Sequence, residues 1–231
     1  MNQLVLQKPV LNPKERDLLF TGYKDTIDSI RSTINLLDDV LMNETEESDT
    51  NSQYSSEDPV FEIIQSRRIE LAKYIDKYIE NLMGICKEAI DLIDTVLLPG
   101  TTENESLIYY YKTRADYLRY MAEFKEEQER DSIIKQSELS YQTALHLAQS
   151  NKHLKKSDPL YLGLALNFAV CEVEFMSKKK EVIAFTEAVF KEAVKTLDEL
   201  DEEKYAEAAN IMQLIRDNIT QWSNLERNSK V

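Results

Sequence analysis

Lys24 and Arg31 stand seven residues apart, and Lys112 and Arg119 repeat that interval, with Tyr120 beside Arg119. On a helix, two turns bring each pair to one face. Two such cationic faces could converge on a dianion. A phosphoryl group carries about −1.5 to −2 charge and three acceptor oxygens. Arginine meets it as a fork, and each charge-assisted hydrogen bond contributes about 1.5–3 kcal/mol. Asp28 lies between the first pair and Asp116 between the second, four residues after the lysine and three before the arginine. Such carboxylates can hold the cationic heads in place without fully neutralising them. Taken alone, the same spacing reads more readily as a solvated, salt-bridged helix face.

Two asparagines stand out for a different reason. Asn167 interrupts the apolar run from Leu160 to Val170, and Asn218 sits beside Asp217. A buried amide needs partners. These amides could bond neighbouring side chains or the main chain of a bound peptide, and satisfaction within the fold is the plainer reading. No catalytic set accompanies them. The two histidines, His146 and His153, read as surface residues, and there is no glycine-rich phosphate loop, Gly-x-Ser-x-Gly or His-x-x-x-His. The chain therefore reads as a non-enzyme with no catalytic residues, no cofactor and no metal site.

The elements that must carry these residues are helices. With four glycines and five prolines in 231 residues, there are too few turn formers for a β-rich fold. The prolines punctuate instead. Asn12-Pro13 followed by Glu15 forms a capping-box pattern, and Asp58-Pro59 and Asp158-Pro159 repeat the cap-then-proline arrangement. Pro99-Gly100 closes a helix, and Thr102 with Glu105 opens the next. The pattern predicts helices at about 13–43, 59–98, 103–124, 130–151, 159–177, 179–200 and 202–224, with ends uncertain by about 2–4 residues. Leu162, Leu166, Val170 and Val173 make one helical stripe. Short later connections predict antiparallel neighbours. The segment 44–58 lacks aliphatic residues and is dense in acids, serine and threonine, so it is expected to be a mobile loop. Residues 1–12 read as an N-terminal remnant, 13–224 as a single helical domain and 225–231 as a flexible tail.

Charge and cysteine usage narrow the partners. A net charge of −14 and a pI near 4.7 oppose binding to nucleic acid or anionic lipid. No apolar run approaches the roughly 18 residues of a membrane span, and the N-terminus lacks a signal-peptide core. Cys86 and Cys171 are 85 positions apart and read as reduced core thiols of a cytoplasmic protein.

Longer runs carry a family resemblance. Tyr23-Lys24 with Arg31, then Tyr111–Tyr120, Leu162–Phe168 and Ile211–Trp222, resemble the 14-3-3 family in this order, over about 11–223. The resemblance implies an all-α antiparallel bundle with a concave groove, acting as a phosphoserine/phosphothreonine peptide-binding adaptor in signalling. It assigns Arg31, Arg119 and Tyr120, with Lys24 nearby, to the phosphate, and Lys112 to a position further along. Asn167 and Asn218 would clamp the peptide main chain. Leu166, Val170, Ile211, Leu214 and Trp222 would form an apolar wall, with Glu174 near the peptide. A scaffold binding unphosphorylated peptides or helices is the alternative, although its expected repeat of about 34 residues is not found.

The sequence also departs from that family. Gln221, Thr21 and Ile34 stand where leucine, valine and tryptophan are usual, which predicts altered preference for residues flanking the phosphate. The acidic segment 44–58 looks like an insertion. The family's two N-terminal dimer helices have no counterpart in the first dozen residues, so the resemblance leaves homodimerisation uncertain. Ser229, two residues after Arg227, lies in a basic kinase-like context as a possible phosphosite. The expected partners are phosphorylated proteins or peptides, with no nucleic acid and no membrane.

Overall fold

Asn12 and Glu15 start the first helix as the sequence predicts. The Glu15 amide donates to Asn12 Oδ1 at 3.0 Å, and the Asn12 amide donates to Glu15 Oε2 at 2.9 Å. Two backbone donors that the helix leaves open are thus satisfied reciprocally. The structure, a computed structural model, describes residues 10–50, 59–176 and 179–228. Among these residues, helices and turns account for the regular structure, and the fold is all-α. None of the described helices is long and apolar enough to cross a membrane.

The chain divides into two compact units, Met1–Leu92 and Ile93–Val231. The first holds α1 (Pro13–Thr50) and α2 (Pro59–Leu92), packed on one another. α1 buries Leu19, Phe20, Ile27, Ile30 and Ile34, a stripe at helical spacing, and α2 buries Ile75, Leu82 and Cys86. The Tyr23 hydroxyl donates to Glu88 Oε1 across the pair at 3.2 Å. α1 outruns its expected end at residue 43: the backbone stays helical through Thr50, into the segment read as a loop. Glutamate is a good helix former, and the last turns of a helix can extend on propensity without an apolar face. Residues 51–58, including the Asp58 cap, lie outside the described residues.

The second unit opens with a π-helical turn, Ile93–Leu97, that runs into Leu98–Gly100. Then follow α3 (Asn104–Ala122), α4 (Glu127–Ser150), α5 (Pro159–Phe175), α6 (Lys179–Val194) and α7 (Glu202–Asn228). α3 is capped not by Thr102 but by Glu103, whose Oε2 accepts from the Ser106 amide at 2.9 Å. α5 is capped by Asp158 as expected, its Oδ1 accepting from the Leu160 amide at 3.0 Å, while Oδ2 takes Lys204 Nζ of α7 at 2.8 Å. α6 stops at Val194 rather than 200, giving way to a single 3₁₀ turn at Leu197–Glu199. α7 runs on to Asn228, so the segment read as a tail from 225 is helical for four residues, and Ser229 lies outside the described residues.

α5 is apolar on all sides and central to its unit, with α3, α4, α6 and α7 all packing against it. Its Leu162, Leu164, Ala165 and Cys171 join Ile108 of α3, Tyr141 and Ala144 of α4, Val189 of α6 and Ile215 of α7 in one core. Cys86 and Cys171 are buried and joined in no disulfide, and His146 and His153 are exposed, as the sequence predicts.

Candidate functional site

α3 is the element that turns charge inward. Thr113, Asp116 and Arg119 are all buried on it, an unusual polar face for a helix in contact with an apolar neighbour. Arg119 is 8% exposed. Its Nη1 donates to Glu123 Oε1 at 3.1 Å and to Glu174 Oε2 of α5 at 3.4 Å. The guanidinium carbon lies 4.6 Å from the centroid of the Tyr120 ring. Its Nε is buried and has no hydrogen-bond partner among the described residues. Burial works against the charge, but Tyr141, Tyr120, Asp116 and Glu174 outweigh it, so the Arg119 pKa is raised. Arg119 is thus a permanent, preorganised cation with donors beyond Nη1 still to be used.

Asp116 is the second centre. Lys112 Nζ donates to its Oδ2 at 2.8 Å, the Tyr141 hydroxyl to its Oδ1 at 2.5 Å and Asn167 Nδ2 to the same oxygen at 2.9 Å. Three helices meet at one carboxylate: α3 supplies Asp116 and Lys112, α4 Tyr141 and α5 Asn167. The Tyr141 hydroxyl is pushed well above its ordinary range, chiefly by burial and then by Asp116, with Arg119 opposing. Burial likewise pushes the Cys171 thiol to about 11, against the Ser137 hydrogen bond and Arg119, so it stays protonated at neutral pH. The stem of Lys112 runs past Gly163: a Cβ built there would stand 3.6 Å from Lys112 Cε.

The predicted apolar positions divide by exposure. Leu214 of α7 is 51% exposed, whereas Leu166 is buried and Ile211 and Val170 are half-buried. Trp222 is 5% exposed and packed with Ala169 and Val182, so it supports the surface from beneath. Asn218 is half-buried and donates from Nδ2 to the Leu214 carbonyl one turn back, at 2.9 Å. Gln221 is exposed.

The second unit therefore brings together Lys112, Arg119, Tyr120, Asn167 and Glu174. Lys24 and Arg31 belong to the first unit, where Asp28 serves both, at 3.2 Å from Lys24 Nζ and 4.0 Å from Arg31 Nη1. The sequence reading sets Asp28 and Asp116 between their cations: Asp28 pairs with both, whereas Asp116 pairs with Lys112 and forms no ion pair with Arg119. It missed that Arg119 pairs with Glu123 and Glu174, and it did not single out Tyr141. A tyrosine flanked by Ser137, Ser140, Ala144 and Ala148 on one helix was the available signal for a hydroxyl entering the core.

Comparison with known proteins covers nearly the whole chain. A family model described as 14-3-3 protein matches residues 1–223, a span that takes in the residues before α1. The 14-3-3-like protein GF14 iota of Arabidopsis thaliana is 36% identical over 213 residues, covering 92% of this chain and 73% of the relative. The 14-3-3 protein beta/alpha-A of Xenopus laevis is 32% identical over 213 residues, covering 92% and 80%. The human 14-3-3 protein beta/alpha is 30% identical over 223 residues, covering 96% and 83%.

Proposed function

The chain belongs to the 14-3-3 family, and from that premise we propose that it is a cytoplasmic, non-enzymatic adaptor that binds phosphorylated serine or threonine segments of other proteins. The observation that carries this reading is Arg119: a buried cation whose Nη1 is held by Glu123 and Glu174, while its other nitrogens have no internal acceptor among the described residues. A phosphoryl oxygen supplies an acceptor of the right charge, and an unmodified serine hydroxyl does not. Tyr120 adds a phenol at the same place. The family resemblance also assigns further residues of the second unit to the bound segment. It assigns Asn167 and Asn218 to the main chain of the bound segment, and Leu166, Val170, Ile211 and Leu214, backed by Trp222, to its apolar side chains.

The physical mechanism is mass action. A ligand that binds one conformation of a client stabilises that conformation and keeps other partners from the bound segment. Selectivity for the modified client follows from bond count. Losing about two charge-assisted bonds costs about 3 kcal/mol or more, over a hundredfold in affinity. Fluorescence anisotropy with a serine peptide in phosphorylated and unmodified forms tests this directly. The phosphorylated form is expected to bind at least about a hundredfold more tightly. Equal binding of the two would leave a scaffold for unphosphorylated peptides as the better reading.

A further inference from the structure

Asp116 does something that the proposed peptide-binding residues cannot do for themselves. It is a carboxylate, an acceptor at every lone pair, and it is buried at the meeting of α3, α4 and α5. A side-chain amide is nearly symmetric in shape, with a donor end and an acceptor end that differ little in size. Nothing about the shape of a pocket tells an asparagine which way to face. Asp116 does, because only the NH₂ end of Asn167 can be offered to it, and that contact is 2.9 Å. The amide oxygen must then point away from Asp116.

We propose that Asp116 is a positioning residue for ligand binding: by taking the Asn167 N–H, it fixes the amide with its oxygen as the acceptor for a main-chain N–H of the bound segment. This rests on the assignment of Asn167 to the peptide main chain. It accounts for three features together. Asp116 Oδ1 is shared between Asn167 and the buried Tyr141 hydroxyl, which anchors that oxygen from the core side. Oδ2 is bound by Lys112, whose charge offsets the carboxylate without competing for Oδ1. Asn167 breaks an apolar helix because its polarity is set from within the fold, and what remains of the amide is an acceptor. Lys112 is, by the same contacts, a tethered cation serving Asp116.

Peptide main-chain chemistry supplies the test. Replacing one backbone amide by an ester removes a single N–H donor and changes little else. A phosphoserine peptide is scanned with esters at each position within two residues of the phosphoserine. The wild-type protein is expected to lose about tenfold in affinity at one such position, as one hydrogen bond predicts. In Asp116→Asn the neighbour can donate as well as accept, so Asn167 is free to turn either way. The amide-to-ester ratio at that position is expected to fall to below about threefold, as in Asn167→Ala. Because the readout is a ratio within each variant, a general loss of affinity or stability does not imitate it. An unchanged ratio in Asp116→Asn overturns the proposal, as does a wild-type protein indifferent to every ester.

Failure of the phosphate reading is distinguished by comparing phosphorylated and unmodified peptides on wild type, since the ester scan can be run on whichever form binds. Should Asp116→Asn not fold, NMR of the wild-type protein decides the matter. The Asn167 side-chain NH₂ is expected to exchange slowly without peptide and to stay protected when peptide binds. A NH₂ that is unprotected before binding and gains protection only on binding shows the opposite orientation and sinks the idea.

Discussion

Arg119→Lys isolates what the guanidinium does beyond carrying charge. Arg119 is buried, and removing its charge altogether would break its ion pairs with Glu123 and Glu174 and so confound binding with folding. Lysine keeps the positive charge beside Glu123 and Glu174. It lacks the planar fork and any equivalent of Nε and Nη2, which on Arg119 no internal group among the described residues uses. If the fork meets two phosphoryl oxygens where lysine can meet only one, lysine forfeits one charge-assisted bond, worth about 1.5–3 kcal/mol, or between about 10- and 100-fold in affinity. Anisotropy titration of a phosphoserine peptide against both proteins measures this loss. The unmodified peptide should bind equally to both, because it offers the guanidinium no anion. Thermal unfolding checks that the variant is intact. Refutation would be an Arg119→Lys protein that unfolds like wild type yet binds the phosphopeptide within about threefold of it.

The remaining predictions concern the supports of the site. Gly163→Ala meets only an ordinary contact with the Lys112 stem and removes a glycine from a helix interior, so it should raise stability by up to about 1 kcal/mol in urea titration. Alkaline stability follows from Cys171 and Tyr141, whose folded pKa values both lie above their unfolded ones. The fold favours their protonated forms, so that stability is complete below about pH 9 and is lost as pH rises through about 11 for the thiol. The urea midpoint of wild type should therefore fall more steeply over that window than that of Cys171→Ala, and parallel curves would exclude a contribution from the thiol. Asp158→Ala removes the α5 cap and the contact to Lys204, and should lower stability by about 1–2 kcal/mol without changing the ratio of phosphorylated to unmodified peptide binding.

How far the sequence discloses this site depends on the range of the interaction. Asn12 with Glu15, and Asp158 with Leu160, are local, and both caps are where the residue types place them. Local rules fail where several residues could serve: Glu103 caps α3 although Thr102 adjoins it, and α1 and α7 run past their expected ends because helical extension needs no buried stripe. The interior of the site is illegible for a different reason. Asn167 announces itself as a polar residue in an apolar run, which says that a partner exists and not which one. That partner, Asp116, is 51 positions back along the chain, and Tyr141 reaches the same carboxylate from 25 positions after it. Arg119 shows the same limit. The interval from Lys112 to Arg119 suits a solvated face, and only the packing of α3 against α4 and α5 turns that face inward. Once inward, each charge needs a fixed counterpart, because an unpaired polar group costs far more in the interior than on the surface. Glu123 and Glu174 for Arg119, and Lys112, Tyr141 and Asn167 for Asp116, meet that need. The Arg119 donors that no internal group takes are then the feature a ligand would answer.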